Sequence, residues 1–197
     1  MCTTRSVVII AYRAQFVTLS MQLVGSITDV VHNSWTVHFS HGLSFFEDLI
    51  SGTSKLVDLA LSLDRSVRII FTSSIATSRS WNPANGPVPE EFLPDNGIIP
   101  DFGYSASKYV VEHVRNHSYP HDHLILNPPW FQIFAKAREQ GLDGICLRVG
   151  QLCGPQDTGA WNVTDWVPIL VKSSIALGAY PDTKDVRVQI ANFIVVQ

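Results

Sequence analysis

Apolar residues along this chain recur with two spacings. Ile27 to Val31, Val67 to Phe71 and Gly144 to Gly150 are short runs rich in β-branched residues, each closing on a polar or glycine-containing stretch. They predict buried parallel strands whose ends open into loops. Val7 to Ile10 is a further candidate. Between the first two runs, Phe45, Leu49, Leu56, Leu59, Ala60 and Leu63 follow helical spacing over residues 44–63, with Gly52 permitting close packing or a slight bend. Strand, helix and strand in this order predict a right-handed βαβ unit.

Residues 78–103 are punctuated by proline and glycine and predict a long loop, a kind of segment that often carries function. A helix is expected from Tyr104 to at least Val114. The stretch 115–132 has three prolines and no periodicity, yet Phe134 to Gly141 reads as the end of a helix with a glycine stop, so one helix is expected to be cut by an insert. Ile169 to Leu177 predicts an apolar helix ended by Gly178. The fold class is therefore α/β: a partial Rossmann-type, doubly wound parallel sheet with helices on both faces.

The 197 residues suffice for one domain with a real core and are short for two. With 46% hydrophobic and 16% charged residues, the chain reads as globular rather than disordered. A net charge of −3 with no basic run gives no support for nucleic-acid binding. No segment approaches the ~20 apolar residues of a membrane span. Cys2, Cys146 and Cys153 form neither a disulfide framework nor a zinc pattern, which fits a reducing, cytoplasmic setting. His117, His121 and His123 have metal-like spacing but lack a supporting carboxylate or cysteine framework, so no metal is expected. Asn116 and Asn162 begin glycosylation acceptor patterns that carry no meaning in a cytoplasmic chain.

The candidate chemistry lies in Gly103-Tyr104-Ser105-Ala106-Ser107-Lys108 and in Phe71-Thr72-Ser73-Ser74 upstream. Tyr104 and Lys108 are one helical turn apart and share a face. A cation there is expected to lower the pKa of the phenol and make it a usable acid. A hydroxyl from the strand end, Ser74 or its neighbours Ser73 and Thr72, would hold a substrate oxygen; the bland reading of such a serine is a helix cap.

These residues resemble the extended short-chain dehydrogenase/reductases. More narrowly, Val31-His32-Asn33-Ser34-Trp35, Gly103 to Glu112, Arg148-Val149-Gly150-Gln151-Leu152-Cys153-Gly154 and Gly159 to Pro168 look like the thioester reductase domain of fungal non-ribosomal-peptide-synthetase-like carboxylate and aminoadipate reductases. The likeness covers residues 22–181; residues 114–132 are foreign to it, and 1–21 and 182–197 stay unassigned. It implies an NADP(H)-dependent oxidoreductase of secondary metabolism that reduces an acyl thioester, borne on a phosphopantetheinyl carrier, to an aldehyde or alcohol. It also implies Ser74, Tyr104 and Lys108 as the catalytic group. Cofactor contacts are implied at His32, Asn33, Thr72, Ser73, Tyr104, Lys108, Arg148 and Gly150, and substrate contacts at Gln151, Trp161 and Asn162. Read without the family, His32 is a core histidine, Asn33 a turn residue, Arg148 an ion-pair partner and Trp161 part of an aromatic loop core. One departure matters: the family opens on a G-x-x-G-x-x-G turn for the cofactor pyrophosphate, and residues 1–21 contain no match. Two further readings therefore stand beside the first: a non-catalytic remnant, and an extended reductase or epimerase acting on a free small molecule.

Overall fold

A computed structural model of the chain describes residues 7–10, 26–90, 100–113, 134–152, 155 and 157–180. The expected insert at 114–132, the three histidines within it, the segment 182–197, Cys2, Cys153 and Gly154 lie outside the described residues, as do residues 1–6 and 11–25. The described elements are β1 (Val7–Ile10), β2 (Asp29–His32), α1 (Glu47–Leu61), β3 (Arg68–Ser74), α2 (Gly103–His113), α3 (Phe134–Glu139), β4 (Asp143–Val149) and α4 (Trp166–Leu177). The chain divides into two compact units, residues 1–148 and 149–197.

In the first unit the strands stand in the order β1-β2-β3-β4. Val7 to Ile10 pairs in parallel with β2, with Val8 opposite Val30. β2 in turn pairs in parallel with β3, placing Val31 opposite Ile70 and His32 opposite Phe71. The helix between β2 and β3 makes this the expected βαβ unit. The alternation along β3 is clean: Ile69, Phe71 and Ser73 are buried, while Ile70, Thr72 and Ser74 are half-buried. Phe71 lies at the centre of an aromatic group, with ring centroids 5.4 Å from His32, 5.5 Å from Trp35 and 5.7 Å from Phe134. Helices α1, α2 and α3 contact one another and bury Leu49, Leu56, Val110, Val111 and Phe134 in the same core as Ile69 and Phe71.

Two boundaries differ from expectation for physical reasons. The helical segment over 44–63 opens with a 3-10 turn at Leu43–Phe46 before α1 begins. A 3-10 turn advances faster per residue than an α-helix and so shifts the phase of the apolar stripe. Consequently Ile50, Val57 and Thr53 are buried, whereas Phe45 and Leu59 are exposed. Strand β3 runs on through Ser74, so the two serines belong to the strand rather than to the loop after it.

Gly103, the first residue of α2, packs against the chain just before the 3-10 turn. A Cβ there would lie 2.3 Å from the carbonyl oxygen of His41 and 2.5 Å from the carbonyl carbon of Gly42, both backbone atoms that cannot swing away. Gly103→Ala is therefore expected to cost about 1–3 kcal/mol, the usual range for overpacking. A denaturant midpoint equal to that of the parent chain would disprove the close approach.

The second unit holds α4, which begins at Trp166 rather than Ile169. Pro168 falls within its first turn, where the missing N–H breaks no helical bond. The helix ends at Gly178 in the left-handed conformation, its N–H reaching the carbonyls of Ser174 and Ile175, as the glycine stop predicted. No described helix is long and apolar enough to cross a membrane.

Candidate active site

Strand β3 and helix α2 bring the candidate groups together. Neighbouring residues on a strand point to opposite faces, and here this separates two adjacent serines. Ser73 is buried, and its hydroxyl donates to the carboxylate of Glu112. The Ser74 hydroxyl lies beside that of Tyr104 and acts to lower its pKa, and its Oγ accepts from the N–H of Ala76 at 3.2 Å. Of the three expected strand-end hydroxyls, Ser74 is thus the one beside Tyr104. Tyr104 is framed by Phe39 and Phe46, at centroid distances of 5.3 and 6.3 Å.

Lys108 is almost wholly buried, and its ammonium donates to the backbone carbonyl of Thr72. It also lies over the Trp35 ring at 4.4 Å and the Phe71 ring at 4.6 Å, a cation held between two π faces. Trp35 is fixed in turn, its indole N–H donating to Ser107 Oγ at 3.3 Å. Burial lowers the Lys108 pKa to about 7, against the opposing pull of Glu112.

This arrangement corrects the expected tuning of the tyrosine. The pKa of Tyr104 is raised, not lowered: burial disfavours the phenolate, and the Ser74 hydroxyl offsets only part of that. The Lys108 ammonium is directed at the Thr72 carbonyl and the Trp35 and Phe71 rings. Tyr104 is consequently a protonated hydroxyl near neutrality.

The other expected contacts divide. His32 is 1% exposed, and its Nε2 pairs with Thr53 Oγ at 2.8 Å. Burial, with Lys108 second, lowers its pKa to about 4, so it is a neutral core imidazole. Arg148 is likewise committed: Nε and a terminal nitrogen donate to Glu112 Oε2 at 3.0 and 2.9 Å, and the other terminal nitrogen reaches the Pro89 carbonyl at 3.2 Å. Arg148 is thus first of all the structural ion-pair partner that its residue type alone suggested. Thr72 contributes its carbonyl to Lys108, and Asn33 is exposed in the loop after β2. Glu112 is the group that the sequence alone did not assign. The signal was present, because it continues the four-residue spacing of Tyr104 and Lys108 along α2 and is an acid among buried valines.

In the second unit Gly150 is half-buried. Gln151 Oε1 accepts from the Trp166 indole at 2.7 Å, Trp161 donates to Asp165 Oδ2 at 2.9 Å, and Asn162 Oδ1 accepts from the N–H and hydroxyl of Thr164. Trp161 also borders an open apolar groove with Val167, Pro168, Val171 and Ile175 of α4. Among the described residues no group of three or more potential metal ligands occurs.

No protein-family model matches the chain. It is 43% identical over 164 residues to an adenylate-forming reductase, Nps11, of Serpula lacrymans, which covers 82% of this chain and 13% of that protein. A carboxylic acid reductase of Neurospora crassa is 35% identical, again over 164 residues, covering 82% of this chain and 14% of that one. The chain belongs to the thioester reductase domains of non-ribosomal-peptide-synthetase-like enzymes. A solved thiolation-reductase di-domain of an archaeal non-ribosomal peptide synthetase shares the fold, with a TM-score of 0.56 at 17% identity over 80% of this chain and 31% of that one. This member of the family thus has a partial Rossmann-like α/β fold, and it spans about an eighth of the length of the curated relatives it matches.

Proposed function

We propose that this chain reduces a carrier-bound acyl thioester with NADPH, releasing an aldehyde or, after a second reduction, an alcohol. The observation that supports this best is the placement of the Ser74 hydroxyl beside Tyr104 at the end of a parallel strand, with Lys108 one helical turn on. The two hydroxyls would grip the thioester oxygen, and Tyr104 would donate a proton as negative charge builds on it. NADPH, when bound, would supply the hydride. Its nicotinamide ribose is the part that Tyr104 and Lys108 could hold, for Lys108 carries donors now resting on a single carbonyl and two ring faces. Gln151, Trp161 and Asn162 are the proposed substrate contacts.

The donor set fits the reacting end of the cofactor better than the rest of it. His32 Nε2 is paired with Thr53, and Arg148 with Glu112. That pairing favours the second reading, a remnant without catalysis. Titration with NADPH, followed by nicotinamide fluorescence, separates the two. Saturation with a Kd on the order of micromolar is expected, and absence of binding at millimolar cofactor would leave only the remnant. Turnover of an acyl phosphopantetheine thioester, set against the free aldehyde alone, distinguishes the thioester reductase from an enzyme of free small molecules.

A further inference from the structure

Helix α2 carries three polar residues at successive turns, Tyr104, Lys108 and Glu112, and the third is the most deeply buried. Glu112 is 0% exposed and touches three other pieces of the chain. Its Oε1 accepts from Ser73 of β3, and its Oε2 accepts twice from Arg148 of β4. The Thr77 hydroxyl in the 3-10 turn after β3 donates to the Ser74 carbonyl at 2.8 Å. Ser74 is thus held by Thr77 on one side, and on the other its neighbour Ser73 is tied to the Glu112 carboxylate.

We propose that Glu112 is a positioning residue of this site, locking α2 onto the end of β3 so that Ser74 meets Tyr104, and serving as the buried counter-charge of Lys108. The inference rests on the proposed reduction for its meaning in catalysis, while its electrostatic half stands without it. The groups facing Lys108 are His32 from β2, the Thr72 carbonyl and Phe71 from β3, Trp35 from the loop after β2, Cys146 from β4 and Glu112 from its own helix. Burial keeps His32 neutral, and it pushes the Cys146 thiol up so that it stays protonated. Glu112 is therefore the charge among them that supports an ammonium. Burial raises the Glu112 pKa and Arg148 opposes that rise; the two donors of Arg148 at 2.9 and 3.0 Å from Oε2 are the geometry of a guanidinium–carboxylate pair. The order of dependence runs from Arg148 to Glu112 to Lys108.

The test uses the full chain labelled with 13C-lysine, with Lys108→Arg to assign the Lys108 resonance. In the parent chain Lys108 titrates near 7. Glu112→Gln should move that midpoint downward while the amide spectrum of the chain stays that of the folded parent, a combination that general loosening would not produce. Ser73→Ala, which removes one hydrogen bond and no charge, covers the case in which Glu112→Gln does not fold; its smaller shift should have the same sign. A Lys108 midpoint unmoved in a folded variant overturns the counter-charge role. Where the parent chain turns over, Ser73→Ala should lower kcat by ~10- to 100-fold at unchanged KM, the cost of a small misplacement, with Ser73→Thr restoring it; full kcat in Ser73→Ala overturns the positioning role. A parent chain without turnover whose variants still show the shifted midpoint would sink the proposed reduction and leave this inference standing.

Discussion

Tyr104→Phe should leave the chain folded and lower kcat by roughly 100- to 10,000-fold, the range that one positioned proton donor supplies. The ring keeps its edge contacts with Phe39 and Phe46, so packing is preserved. What is lost is one oxygen, the partner of Ser74. Ser74→Ala should fall in the same direction, and the double variant should cost little more than the worse single one, because the two hydroxyls serve one oxygen. The pH profile adds a second check. Burial holds Tyr104 protonated beyond its ordinary range, so the acid itself does not fail near neutrality. Lys108, by contrast, loses its charge as pH rises through about 7. The kcat/KM of the free enzyme should accordingly decline above neutrality through Lys108, well before the phenol ionises. A flat profile from pH 6 to 9 would remove the ammonium from the chemistry.

Arg148→Met should destabilise the fold by about 3–5 kcal/mol, because it leaves the Glu112 carboxylate buried without its counter-charge. The Arg148 side chain is 15% exposed and that of Glu112 0%, so little water can replace the lost partner. The pH dependence has a definite sign. Without Arg148 the pKa of Glu112 rises further, and the folded variant binds a proton that the unfolded chain has released. Stability of the variant then falls as pH rises between the ordinary carboxylate range and that elevated value. Equilibrium unfolding in urea should show a deficit that is largest near pH 8 and shrinks toward pH 5. A deficit below about 1 kcal/mol at pH 8 would mean that the pair is solvated and ordinary.

These two variants also separate what local sequence could reveal from what it could not. The spacing of Tyr104 and Lys108 is a property of one helix, and the β-branched runs ending in Ser73-Ser74 and Gly150 are properties of single strands; all were legible as elements, although the last, expected to be buried, leaves Ile145 and Leu147 exposed. So was the stop at Gly178, which needs only the left-handed freedom of glycine. The apolar face of α1 was legible at Leu49, Leu56 and Ala60, which are buried, but its start was not, because the 3-10 turn that leaves Phe45 exposed has no strong signature in composition. The aromatic stretch before Ile169 looked like loop because Pro168 suggests a break, although proline within a first turn breaks nothing. The role of Arg148 depended on a carboxylate far back along the chain, and only the packing of β4 beside α2 brings them within hydrogen-bonding distance. The raised pKa of Tyr104 was hidden for the same reason: spacing placed a cation on the correct face, but the direction of the shift is set by burial of the phenol, which depends on tertiary packing.

The alternation at the end of β3 also bears on which mutations the site can survive. Ser73 and Ser74 are the same amino acid, and their different fates are set by register alone, with Ile69 and Phe71 filling the core on the side that Ser73 shares. A slip of one residue, by an insertion or deletion between Val67 and Ser73, would exchange the two serines while keeping the motif intact as text. Chains carrying such a slip would still match the family pattern by eye, yet would present the hydroxyl to Glu112 from the wrong serine. Length between the strand's first buried residue and its serines is thus a constraint as strict as the serines themselves.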